Sequence, residues 1–395
     1  MSRPLSSLRV LDFTTLLPGP WATMMLADLG AEVLRVEAPH RADMVRMMPP
    51  FDGESSAWHS VLNRSKRSLA LDLKKPGAIE IVKRLLSKGG YDIVIEQFRP
   101  GVMERLGIGF ESLRAVNPQL IYCAVTGYGQ SGPLRDRAGH DINYVSLAGI
   151  MSHSGRREGG PSPLGVQLAD VGGGSLGALV GLLAAIIQRQ TSGEGQFVDI
   201  SMLDMMLAWQ THIISQYLVG REVPDREALP LNGGGAYDFY ETADGRYLSV
   251  GSLEPKFWAG FCQAIERPDL IGQGYIQDAT VQQTLKREIA ICIASRPLAE
   301  WVAIFAPLDV CVEPVLDIAE ALDQPQVRAR EMIVDVEKAE GTPQRQIGSP
   351  FKFSNGRAQY KHTGAKLGAH TDEVLAEIGY NKWDVETFRK DGLLG

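Results

Sequence analysis

A chain of 395 residues is longer than one hydrophobic core usually serves, which predicts two lobes. With 44% hydrophobic and 22% charged residues it has the apolar content of a large globular core and not that of a disordered chain. The net charge of −7 argues against nucleic acid as the main partner, yet a local basic patch can still hold a phosphorylated ligand.

The first residues lack the apolar core of a signal peptide, so a cytoplasmic protein is expected. Residues 8–13 (Leu-Arg-Val-Leu-Asp-Phe) have the length and branching of a buried strand. Pro18-Gly19-Pro20 breaks the chain before an apolar-periodic helix over 21–29, which Gly30 closes. A strand over 32–36 completes a strand–loop–helix–strand unit, the opening of a parallel α/β sheet. Strands over 68–73, 92–96 and 120–126 follow, with helices over 77–87 and 110–116. Such a sheet binds at the carboxyl ends of its strands, which directs attention to residues 16–20, 97–101 and 127–132.

Residues 174–190 predict a strongly apolar helix, whose 176–187 run is shorter than the about 20 residues of a membrane span. A buried helix and no membrane are therefore expected. A strand over 196–200 and a second apolar helix over 202–218 lead to a polar stretch at 220–230. Asp244-Gly245 between β-rich runs over 238–242 and 246–251 predicts a hairpin. The expected organisation is a large α/β lobe over 1–200, a linker helix over 201–224, a small α/β lobe over 225–330, and a return segment over 331–395 packing on the large lobe. Cys123, Cys262, Cys292 and Cys311 have neither CxxC nor metal-ligand spacing, so reduced thiols and no metal are expected.

Two segments could carry chemistry. Gly139-His140-Asp141 follows a strand, and histidine as a residue type titrates near neutrality, which suits an acid–base element. Asp141 can equally cap a helix through Leu147, and both readings can hold together. Further on, Asp170 precedes Gly172-Gly173-Gly174 and the apolar helix. Glycines there admit close approach, and N–H groups at a helix start could stabilise an enolate oxygen or an oxyanion. The plainer alternative is that Asp170 only caps that helix. Cations cluster at residues 63–67, at Lys74-Lys75 and around Arg99 and Arg105, where phosphates could bind. Neither a dinucleotide glycine fingerprint nor a Walker sequence is present, which disfavours a nicotinamide dehydrogenase or a kinase.

Together these segments resemble the class III CoA-transferase (CaiB/BaiF) family, and within it the α-methylacyl-CoA racemase branch. The resemblance rests on Leu17-Pro18-Gly19-Pro20, Asp28-Leu29-Gly30-Ala31-Glu32-Val33, Lys66-Arg67-Ser68, Leu71-Asp72-Leu73-Lys74, Phe98-Arg99-Pro100-Gly101, Gly127-Tyr128-Gly129-Gln130-Ser131-Gly132-Pro133 and residues 193–199. It implies a Rossmann-like large lobe and a small lobe in a ring-like chain, two of which interlock as a homodimer. It also implies an acyl-CoA substrate, with no metal, nicotinamide or other cofactor. Leu71, Lys74, Gln97, Phe98, Arg99, Arg105 and Tyr144 would hold the CoA. Asp170 matches the family's central carboxylate, a nucleophile in transferases and a proton carrier in racemases. Gly139-His140-Asp141-Ile142-Asn143-Tyr144 and Ser252-Leu253-Glu254-Pro255 resemble the racemase motifs, with Glu254 supporting His140. Gly165-Val166-Gln167 and the glycine run 233–235 look more like the transferases, whose glycine loop shields an acyl-enzyme from water.

Overall fold

In the computed structural model, which describes residues 3–276 and 278–395, the apolar runs of the first 201 residues form one parallel sheet. Its strands are β1 (Arg9–Phe13), β2 (Glu32–Glu37), β3 (Arg67–Ala70), β4 (Ile93–Glu96), β5 (Ile121–Thr126) and β6 (Gln196–Ser201). They lie in the order β3-β2-β1-β4-β5-β6, the doubly wound arrangement of Rossmann-like folds. Successive side chains enter opposite cores, so β4 and β5 read as nearly continuous apolar runs, while β1 and β2 carry the buried Asp12 and Arg35. Leu11, Leu34, Val94 and Tyr122 pack on one face; Val10, Val33, Ile95 and Cys123 pack on the other.

Helix α1 (Pro18–Asp28) starts three residues earlier than its periodicity predicts, because Pro18 takes the first helical position, where a missing N–H costs nothing. With α2 (Ala78–Ser87) on the opposite face it closes the first half of the sheet. Beyond β5 come α3 (Asp141–Leu147) and α4 (Leu176–Ser192), the latter preceded without a break by a π-helical segment, Leu168–Ser175. The continuous stretch Leu168–Ser192 is 25 residues, longer than the apolar run alone suggests and long enough to cross a membrane. Its Ala178, Leu179, Leu182, Ala185 and Ile186 are nevertheless buried in the second core of the sheet.

The compact units do not follow the expected boundaries. One gathers residues 3–148, Gly165–Trp209 and Gln326–Gly395; the other gathers Gly149–Leu164 and Gln210–Pro325. The helix expected over 202–218 breaks at Gln210 into α5 (Met202–Trp209) and α6 (Thr211–Gly220), so no single linker helix exists. No proline or glycine marks that break, and an apolar pattern runs straight through it. Residues 149–164, expected in the large lobe, belong to the second unit. There Arg156 pairs with Glu227 at 2.9 Å and Asp238 at 2.7 Å.

In the second unit the expected hairpin is β7 (Asp238–Glu241) and β8 (Tyr247–Val250), joined by a third antiparallel strand, β9 (Val312–Pro314). Trp258, Phe261, Leu285, Ile289, Trp301 and Phe305 form its core against Tyr240 and Leu248.

Within the first unit a buried ion pair fastens the return segment to α1. Arg64 donates from Nε and NH2 to the Asp28 carboxylate at 2.9 and 2.6 Å, and from NH1 to the Ile347 carbonyl at 2.6 Å. Its guanidinium also stacks on Tyr360, 4.7 Å from the ring centre. Removing one partner strands the other charge, a loss of about 3–5 kcal/mol. Arg64→Met is therefore expected to lower unfolding free energy by that amount in denaturant titration, whereas an exposed pair such as Lys256–Asp309 should matter far less.

Candidate active site

The strand order reverses between β1 and β4, which places a crevice at their carboxyl ends. Past β1 the backbone enters the left-handed region at Leu16, with φ of 61°, a conformation that disfavours a branched side chain. Its N–H donates to Asp43 Oδ2 at 2.8 Å, and Arg35 donates to the same oxygen. At the start of α1, Pro18 and Pro20 offer no N–H, and that of Gly19 donates to Gln97 Oε1 at 3.0 Å. A helix N-terminus commonly binds phosphate through such donors. Here they are absent or taken, so anionic ligands fall to side chains.

Those side chains are present. Lys74, Arg99 and Arg105 are exposed, and Gln97 and Phe98 are half-buried at the end of β4. Arg105 lies over Gly101, its NH1 3.2 Å from where a Cβ would stand, and Arg135 NH2 is 3.8 Å from the same point. Two guanidinium groups thus converge on one glycine backbone, a geometry suited to phosphate. Arg135 escaped the sequence reading because it is 30 residues from Arg105 in the chain. The side chain of Leu71 is fully buried in the core and its N–H donates to the Glu37 carbonyl at 2.8 Å, which leaves its backbone carbonyl as the group for a CoA contact.

Tyr144 is also recast. Its hydroxyl donates to the Gly139 carbonyl at 2.6 Å, and its ring leaves no room for a Cβ on Gly127, which would stand 2.4 Å away. Burial first, then Tyr128, Asp170 and Asp141, push its phenol up to about 12, so it stays protonated and holds the loop that carries His140.

Asp141 caps a helix, but not its own. His140 occupies the N-cap of α3, its N–H donating to Asn143 Oδ1 at 3.0 Å. Asp141 Oδ1 instead accepts from the N–H of Ala169 at 2.6 Å and of Asp170 at 3.0 Å, the start of the π-helical segment. Bonds to an ionised acceptor contribute about 1.5–3 kcal/mol each, so this bridge fixes the spacing of His140 and Asp170 firmly. It takes up the first two N–H groups of that segment, and Val171 N–H is bonded to the Gln167 carbonyl at 3.1 Å, so an oxyanion could meet only the glycine N–H groups beyond. The alternative for Asp170 is corrected: it lies inside the first turn and not at its cap.

The glycines after Asp170 serve internal packing. A Cβ on Gly172 would stand 2.5 Å from the Trp209 ring, and one on Gly174 3.0 Å from Pro18 Cβ. Ser175 Oγ donates to the Pro18 carbonyl at 2.6 Å, tying this segment to the crevice. The carboxylate of Asp170 has no hydrogen-bond donor among the described residues and is partly buried. Burial, then the negative charge of Asp141, raise it to about 6, against the opposing pull of His140. The structure thus brings His140, Asp141, Tyr144 and Asp170 together.

Glu254 belongs to the second unit, exposed at the N-cap of the helix Pro255–Ala264. The glycine run of that unit is pinned: Lys286 Nζ donates to the Gly233 carbonyl at 2.6 Å, and Asn232 Oδ1 accepts from Leu229 N–H at 2.7 Å. It borders a cavity of about 530 Å³ lined by Arg156, Tyr237, Phe239, Val250 and Cys311. Among the described residues no three His, Cys, Asp or Glu side chains converge as metal ligands would.

Because the raised carboxyl of Asp170 favours the protonated folded state, its contribution to stability is lost as pH rises from the ordinary carboxylate range through about 6. Asp170→Asn is expected to exceed the parent in unfolding free energy at pH 7.5 by roughly 1–3 kcal/mol, read by denaturant titration, and to show no gain near pH 3.5. Asp141→Asn keeps an acceptor but removes the charge. It should shift the titration of Asp170, followed by carboxyl-carbon NMR, downward.

The model of CoA-transferase family III matches residues 5–371. The chain is 33% identical to the alpha-methylacyl-CoA racemase of Homo sapiens, over 99% of this chain and 97% of that protein. It is 35% identical to the succinate–glutarate CoA-transferase of Agrobacterium fabrum, over 95% of this chain and 96% of that one. Among solved structures it is similar to a CaiB/BaiF family protein from Brucella suis, with a TM-score of 0.82 and 30% identity over 96% of this chain and all of that one (100%).

Proposed function

The chain belongs to CoA-transferase family III, and from that premise we propose that it racemises the α-carbon of a 2-methyl-branched acyl-CoA thioester. The observation that carries the reading is the pairing of His140 with a half-buried Asp170 whose carboxyl sits near 6. A thioester acidifies its α-hydrogen, and inversion needs a base on one face and an acid on the other. With Asp170 ionised and His140 protonated, the carboxylate takes the α-proton, the electron pair moves into the thioester as an enolate, and the imidazolium returns a proton to the opposite face. Turnover leaves Asp170 protonated and His140 neutral, ready for the reverse sense. Asp141 keeps both groups in place, and a supporting role for Glu254 is what the resemblance implies.

Lys74, Arg99, Arg105 and Arg135 would hold the phosphates, and Gln97 and Phe98 the adjoining CoA. A homodimer belongs to the same proposal. The helix α6, none of whose residues is buried, exposes Leu218 and Val219 in a way that suits a covering surface. The alternative is transfer of CoA between carboxylic acids with Asp170 as nucleophile, which the identity to transferases and Val166 favour. The pinned glycine loop weighs against it, since a shielding loop has to move.

One epimer of a 2-methylacyl-CoA incubated in deuterium oxide is expected to gain deuterium at the α-carbon and to approach an equal mixture of epimers. Activity over substrate should fall as pH drops through about 6, where Asp170 becomes protonated. No exchange across a panel of branched acyl-CoAs, with CoA passing to a free acid instead, would establish the transferase.

A further inference from the structure

The central strand β4 ends in a carboxyl group that neither phosphate binding nor proton transfer uses. Glu96 is 5% exposed and stands between Phe13 of β1 and Ala124 of β5 in the sheet. Its Oε2 accepts the Phe98 N–H at 2.7 Å. The titratable groups acting on it or acted on by it are Glu104 from the next helix and Tyr122 and Cys123 from β5. All become anionic when they ionise, and none offers a compensating positive charge. The Tyr122 hydroxyl is itself buried without a partner. Gln97, the next residue, accepts the Gly19 N–H, so two successive side chains fix the turn that leaves β4.

We propose that Glu96 is a positioning residue for acyl-CoA: its carboxyl, bonded to the Phe98 N–H, sets the turn through which Phe98 and Arg99 meet the ligand. The inference rests on the acyl-CoA reading above. A buried carboxylate without a cation is costly, so the group works in its neutral form. Burial raises Glu96 to about 8, against the pull of the Phe98 N–H and with added repulsion from Glu104. Above that pH the ionised side chain repels Glu104 and the ligand phosphates alike. Affinity therefore falls as pH rises through about 8, the opposite sense from the acid limb set by Asp170.

The test is calorimetric titration of acetyl-CoA, which has no free thiol, into wild type, Glu96→Gln and Glu96→Ala across pH 6.5 to 9.5. Wild type should lose about tenfold in affinity between pH 7 and pH 9, as one coupled ionisation requires. Glu96→Gln, which mimics the neutral carboxyl, should bind as wild type does at pH 7 and stay flat. Glu96→Ala should bind about tenfold more weakly at every pH, the cost of one lost buried hydrogen bond. If Glu96→Ala does not fold, the comparison of wild type with Glu96→Gln decides alone. Identical pH profiles for those two overturn the proposal while leaving the acyl-CoA reading intact. Absence of binding by folded wild type overturns that reading and the proposal with it.

Discussion

The carboxylate of Asp141 accepts two backbone N–H groups from the segment that bears Asp170, and its own neighbour in sequence is His140. Two chemical groups 30 residues apart are thereby tied together by one carboxylate bonded to two backbone N–H groups. The same negative charge helps to lift Asp170 toward neutrality, so geometry and acidity have a common source. From Asp170 the constraint continues through Ser175 to the Pro18 carbonyl, and through Gly19 to Gln97. The phosphate-facing end of the crevice and the reacting end are joined by hydrogen bonds of ordinary length.

That arrangement stands on an unusual density of buried charge beneath β1 and β2. Asp12 is fully buried and takes bonds from Thr14, Thr23 and Lys66; burial pushes it up, but Lys66 and Arg35 hold it below the usual range. Burial pushes Lys66 itself down to about 8. Alongside, Glu37 pairs with Arg46 at 2.6 Å, and His59 is driven by burial, and then by Arg46, down to about 3, so it stays neutral. These networks add little net stability over an apolar core of equal volume. What they supply is a fixed turn at Leu16, where Asp43 holds a leucine in a conformation it resists.

Strands β4 and β5 were legible as short apolar runs, and the order of strand and helix leaves few topologies open for the rest. Asp170 and His140 were legible through the company they keep in sequence. The direction of Asp141 was not, since a helix-opening aspartate normally bonds within its own first turn and nothing local announces an acceptor role 28 residues away. The motif that names Leu71 does not say which of its atoms would meet a ligand, and alternation along β3 and beyond turns its side chain into the core. The break at Gln210 was hidden for a related reason: α5 and α6 are both apolar, and periodicity reports which face is buried, not which unit buries it. The three glycines read as ligand contacts, but Trp209, the methionines Met202 and Met206, and Pro18 fill their space.

His140 and Asp170 standing on opposite faces of one α-carbon is the claim on which the functional reading depends. The most direct measurement follows solvent deuterium into each epimer separately, in His140→Gln and in Asp170→Asn. Each variant keeps one of the two groups, so each is predicted to exchange the α-proton of one epimer and not of the other, with the preference reversed between them. Exchange of the same epimer by both variants would place the two groups on one face and contradict the account.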